Sequence, residues 1–150
     1  MIPDLIHVEN ALWPLLPPGI WEADLREVEQ RFVYNPRRLS LFKGFRAGVE
    51  NLFQAGCPQI FLDGSYVTAK PLPNDYEVCW DGANVNPDIL DPVLLVFDPG
   101  RVTQKFKYGG EYFPAFWIEG ESGKPFVDFF QKDKESGEPK GIIKIVNYLI

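Results

Sequence analysis

The chain contains one histidine, one methionine and two cysteines in 150 residues. His7 alone cannot build a histidine metal cluster, and Cys57 and Cys79 are too few and too separated for a disulfide framework or a zinc ribbon. Both thiols are expected as small apolar residues beside strands. No apolar run reaches the roughly eighteen residues that a membrane-spanning helix needs. The opening MIPDLIHVENALWPLL has neither a basic region nor a continuous apolar stretch, so the expectation is a soluble, cytoplasmic protein with no membrane partner. Basic charge is also scarce. Fifteen Lys and Arg face twenty-one Asp and Glu, for a net charge of −6, which disfavours broad electrostatic capture of nucleic acid.

What is present is apolar and aromatic. With 45% hydrophobic and 15% aromatic residues, the chain can bury one sizeable core, and a single domain over residues 1–150 is expected. Residues 14–20, PLLPPGI, read as the end of a rigid proline-rich lead over residues 1–20. Asp24 followed by Glu27 resembles a capping box, with Leu25, Val28 and Phe32 at helical spacing. Asn35 and Pro36 then suit the cap and first position of a second helix. Its apolar stripe is Leu39, Phe42, Phe45, Val49 and Leu52, and Gly56 ends it.

Strands are expected at Gln59 to Leu62 and Tyr76 to Trp80. Residues 86–96 are too dense in apolar side chains for periodicity to decide between helix and strand. A short helix over 101–108 leads through Gly109 and Gly110 into a strand from Glu111 to Ile118, placed at an edge or bulge by Pro114. Phe126 to Gln131 and a last strand, Ile142 to Val146, close the chain. Arg37, Arg38, Lys43 and Arg46, with Arg101, Lys105 and Lys107, read mainly as solvated helix faces.

The densest chemistry lies in FLDGSYVTAKPLPNDYE, residues 61–77. Asp75 and Glu77 are spaced i, i+2, so a strand presents both carboxylates on one face. Two adjacent carboxylates are costly unless a hard cation sits between them, and Mg²⁺ commonly completes its shell with substrate phosphates. The tight turn at Asp63, Gly64 and Ser65 lets backbone N–H groups approach an anion. Ser65 and Thr68 add hydroxyls and Lys70 a compact charge. The same residues also suit an ordinary loop with solvent-facing acids.

The order of apolar strand, Gly-Ser, about ten residues and an acid-x-acid strand resembles the DNA polymerase beta-like nucleotidyltransferase superfamily. The string GSYVTAKPLPNDYE, with the terminal block FVDFFQKDKESGEPKGIIKI, resembles a small bacterial group within it. Glu77 stands where that superfamily more often has Asp. The resemblance implies an α/β (α+β) nucleotidyltransferase-like fold with a short mixed sheet flanked by helices. It also implies Mg²⁺ or Mn²⁺ on Asp75 and Glu77, and triphosphate on Gly64, Ser65, Thr68 and Lys70.

A third carboxylate from a later strand is implied too. Glu111 is the preferred position, Asp128 the alternative, and Asp98 reads as a turn residue. Lys140 is a second candidate cation, or else a solvated turn lysine. The implied reaction moves a nucleoside monophosphate from a nucleoside triphosphate to a hydroxyl of a protein or tRNA, as in toxin–antitoxin or defence pairs. The acidic surface favours a protein or small-molecule acceptor over RNA. The alternatives are a nucleotide- or partner-binding module without catalysis, using Phe113, Phe116 and Trp117 as a face, and an antitoxin-like protein with no nucleotide site.

Overall fold

In the computed structural model, which describes residues 1–147, regular structure starts directly after the prolines with a strand, β1 (Ile20–Ala23). The last three positions of the expected 1–150 domain lie outside the described residues. Helix α1 (Leu25–Phe32) follows, and Asp24 caps it by accepting the Glu27 N–H at 2.7 Å. In α2 (Pro36–Gln54) the Asn35 side chain accepts the Arg38 N–H at 2.9 Å and Pro36 occupies the first turn, where its missing N–H costs nothing. The remaining elements are β2 (Ile60–Asp63), β3 (Tyr76–Trp80), α3 (Val102–Tyr108), β4 (Gly110–Pro114), the single turn α4 (Phe126–Phe129) and β5 (Ile142–Ile145).

Among the described residues five strands form one mixed sheet in the order β1-β5-β2-β3-β4. The outer pairs, β1 with β5 and β3 with β4, are parallel, and the two inner pairings are antiparallel. This is an α+β architecture. One face of the sheet, with Ile60, Leu62, Tyr76, Val78, Trp80, Tyr112 and Ile143, packs on Val28 and Phe32 of α1 and Phe42, Phe45, Val49 and Leu52 of α2. The opposite face carries a smaller cluster of Phe61, Cys79, Ala115, Val127, Phe130 and Ile142, with α4 over it. Glycine lets α2 lie close to its neighbours: a Cβ on Gly44 would fall 1.8 Å from the Tyr108 carbonyl oxygen, and one on Gly48 would fall 2.1 Å from the Tyr112 hydroxyl.

Several expectations need correction. Residue 20 ends no lead but begins β1, because pairing with β5 gives four residues a partner that no local pattern announces. Leu39 is exposed and Leu41, two residues on and so on the opposite side of the helix, is in the core instead. Residues 86–96 form neither strand nor α-helix but turns and a 3-10 segment at Pro92–Leu95. The strand expected to reach Ile118 stops at Pro114, on the edge strand β4, and Phe116, Trp117 and Ile118 are exposed. Arg38, expected on a solvated face, is fully buried. Among the described residues no helix is long and apolar enough to cross a membrane. Cys57 and Cys79 are buried and unpaired.

Candidate functional site

Parallel and antiparallel register place three acids side by side. Asp63 is opposite Glu77 across β2 and β3, and Glu77 is opposite Glu111 across β3 and β4. Paired residues share a face, so Asp63, Glu77 and Glu111 form a row across the sheet, with Asp75 two residues before Glu77. Carboxylate oxygens of Asp75, Glu77 and Glu111 lie within 4.8 Å of one another. Of the two positions weighed for the third acid, the sheet brings Glu111 to the pair; Asp128 lies exposed on α4.

The surroundings of these acids decide their charge. Burial, and then neighbouring Asp63, push the Glu77 pKa up to about 8, against the pull of Lys134 and Lys140. Glu111 is raised in the same direction, first by burial and also by Asp75, with Lys105 opposing. Lys105 on α3 spans the group, its Nζ 3.5 Å from Asp75 and 3.4 Å from Glu111. Burial works against the Lys105 charge, but Glu111 and Asp75 raise its pKa overall.

Beside the acids lies a cavity of about 460 Å³ bordered by Asp63, Gly64, Ser65, Thr68, Lys70, Asp75 and Glu77. Gly64 takes φ +90°, a conformation that L side chains rarely adopt, so the turn needs glycine there. No protein acceptor meets the Gly64 or Ser65 N–H among the described residues. Thr68 also borders the cavity, but its hydroxyl donates to the Ser65 carbonyl at 2.6 Å and accepts the Lys70 N–H at 3.1 Å, so its first task is to close the turn.

The loop after the turn is held from behind by Arg38. Its guanidinium donates to the carbonyls of Tyr66, Thr68 and Lys70 and to that of Phe32, and it lies over the Tyr34 and Tyr66 rings. A single buried side chain thereby fixes the backbone that carries Thr68 and Lys70, two of the expected anion-binding residues.

Lys140 is not a solvated turn residue. It is buried, and its Nζ donates to Asp63 at 2.9 Å. Burial pulls its pKa down, but Asp63 and then Glu77 hold it above the ordinary lysine value. The other oxygen of Asp63, Oδ2, is buried with no partner among the described residues. Lys132 and Lys134 also reach the cavity, from the turn between α4 and β5, and Lys134 comes within 3.9 Å of Glu77.

Sequence reasoning placed Asp63 in the turn but gave its side chain no role, and it gave none to Lys132, Lys134 or Trp13; all four border the cavity. The spacing of lysines in QKDKESGEPKG was the available signal for the first two. Nothing local marks Trp13. Of the basic residues read as solvated faces, Arg37 donates to the carbonyls of Pro73 and Asn74, Arg46 pairs with Glu29, Arg101 lies over Phe97 and Phe113, and Lys107 pairs with Asp91.

Taken as donors, three carboxylates in reach of one another suit a hard cation, for which oxygen ligands are preferred. Burial is the first cause of the raised Glu77 pKa, and the neighbouring charges of Asp63 and Asp75, which a cation would offset, add to it. Clustered lysines beside a turn of free N–H groups suit a polyanion. The chain belongs to a family described as a family of unknown function (DUF6932), matched over residues 9–146. No curated protein and no solved structure matches it.

Proposed function

We propose that the protein is a metal-dependent nucleotidyltransferase of the polymerase beta-like kind, moving a nucleoside monophosphate from a nucleoside triphosphate to a hydroxyl of a protein or RNA, within a toxin–antitoxin or defence pair. The observation that carries this reading is the meeting of Asp75, Glu77 and Glu111 beside a cavity that holds the Gly64-Ser65 turn and four lysines. Asp75 and Glu77, with Glu111, would hold Mg²⁺ or Mn²⁺. When bound, such an ion neutralises charge developing on the phosphoryl oxygens.

The chain's own groups supply the rest. The Gly64 and Ser65 N–H groups and the Ser65 hydroxyl bind the phosphates, and Lys70, Lys132, Lys134 and Lys140 offset the charge of the departing pyrophosphate. The acceptor oxygen forms its bond to the α-phosphorus as the bond to the bridging oxygen breaks. Glu111, whose raised pKa favours holding a proton, takes the acceptor's hydroxyl proton.

A second reading, a nucleotide-binding module without catalysis, draws on Lys105, which already spans Asp75 and Glu111. One experiment separates the two: transfer of label from each α-³²P nucleoside triphosphate onto cell protein and RNA with Mg²⁺ or Mn²⁺. Label that requires both Asp75 and Glu77 supports the transferase. Absence of label with every nucleotide, from folded protein, overturns it.

A further inference from the structure

The cavity has an aromatic side as well as a charged one. Leu12, Trp13 and Leu15 border it from an N-terminal arm, and Phe129 does so from α4. The arm is fixed in place. Ile6 and Leu15 exchange backbone hydrogen bonds of 2.7 and 2.9 Å, and the Pro14 carbonyl accepts the Ala69 N–H at 3.1 Å. That last bond ties Trp13 to the loop carrying Thr68 and Lys70.

Trp13 is unlike the other tryptophans. Trp21 donates its indole N–H to the Pro17 carbonyl at 2.8 Å, Trp80 is buried in the core, and Trp117 meets Phe97 edge-on at 5.8 Å. Trp13 is 38% exposed, and among the described residues no ring pairs with it and no acceptor meets its indole N–H. A partly exposed indole bordering the same cavity as the Gly64-Ser65 turn and four lysines suits a ligand that is planar at one end and anionic at the other. A volume of about 460 Å³ accommodates both ends.

We propose that Trp13 is the base-binding wall of the cavity, stacking on the nucleobase while the Gly64-Ser65 turn and the lysines hold the phosphates. The proposal rests on the nucleotide reading above and adds where the base is recognised. Stacking of this kind tolerates every base, since each presents a π-face. Trp13 thus governs affinity for the nucleoside part while leaving phosphate binding untouched.

The test compares ATP with inorganic tripolyphosphate, which has the anion and lacks the base, by calorimetric titration of the whole chain with Mg²⁺. Wild type, Trp13→Phe and Trp13→Ala are measured, each first shown to be folded by its thermal transition. ATP is expected to bind wild type about tenfold more tightly than tripolyphosphate. Trp13→Phe keeps most of that advantage, and Trp13→Ala loses it with tripolyphosphate affinity unchanged. An ATP advantage that survives in Trp13→Ala, or that is absent from wild type while tripolyphosphate binds, overturns the assignment of Trp13 alone. Failure of wild type to bind either ligand overturns the nucleotide reading, and this inference with it.

Discussion

Two neighbouring rows of side chains cross β2, β3 and β4 on the same face of the sheet. Phe61, Cys79 and Phe113 make one; Asp63, Glu77 and Glu111, two residues along each strand, make the other. Backbone, register and orientation are shared, yet the first row is closed over by Val127 and Phe130 and the second opens beside a cavity. The apolar row gains free energy from every atom withdrawn from water. The acid row spends some of it, because carboxylates this close cannot all ionise freely. A rigid sheet can hold costly groups together when the adjacent row holds the strands together.

The contrast is broken most sharply by activity. Removing the Glu77 or Asp75 carboxylate with an alanine is expected to lower label transfer by about a thousandfold or more. In the adjoining row, Phe61→Leu keeps transfer within about twofold and instead costs about 1–2 kcal/mol of stability in urea unfolding. Asp128→Ala, on the exposed turn, changes neither measurement. Equal losses of activity from the two rows would erase the distinction between them.

Acidity sharpens it next. Glu77 titrates near pH 8 in the folded chain against an ordinary value of 4.5, so between those values the native state holds a proton that the unfolded state has released. Stability is then greatest below about pH 4.5 as far as this group is concerned, and falls as pH rises through 8. Without divalent cations, the thermal midpoint should drop across that window. Glu77→Gln, which cannot ionise, should flatten the slope and raise the midpoint at pH 8, the reverse of what Phe61→Leu does. A slope unchanged by the substitution would assign the pH dependence to another group.

The smallest effect concerns Lys105. Its Nζ spans Asp75 and Glu111, where it acts as an internal counter-ion and competes with any cation those acids would hold. Lys105→Met should tighten Mn²⁺ binding by a few fold, measured by calorimetry, and lower the cation-free thermal midpoint by a degree or two. The change is small because the lysine is more than a third exposed and water screens it. Weaker Mn²⁺ binding in the variant would make Lys105 a support of the site rather than a competitor.

Local signals were legible wherever a short stretch settles its own structure. Asp24 as the cap of α1, Asn35-Pro36 at the start of α2, the strands on either side of residues 64–75 and the Gly64-Ser65 turn are of this kind, each fixed by caps, periodicity or turn chemistry, although the Glu27 side chain accepts the Ile2 N–H and does not complete a capping box. Glu111 could be preferred because it opens the strand after the acid-x-acid pair, between Gly110 and aromatic residues, where the resemblance implies a third acid. What remained illegible depends on partners far along the chain. β1 has meaning only beside β5, more than a hundred residues later. Arg38 is one of two adjacent arginines on α2, and only the carbonyls of residues 66–70 distinguish it from Arg37. Lys140 reads as a turn lysine until β5 sets it against Asp63, and Trp13 gains a neighbourhood only through the bond from Ala69 to Pro14.

The position of β5 in the sheet has a consequence for synthesis. It lies between β1 and β2, so while a ribosome is still making residues 1–140 those two strands have no intervening partner, and each presents an open edge to other chains. The turn that brings Lys132, Lys134 and Lys140 to the acids arrives in the same late stretch. The nascent chain therefore has Asp63 and Glu77 before it has Lys140 and Lys134, which pair with them, and sheet closure and those pairings come together with β5.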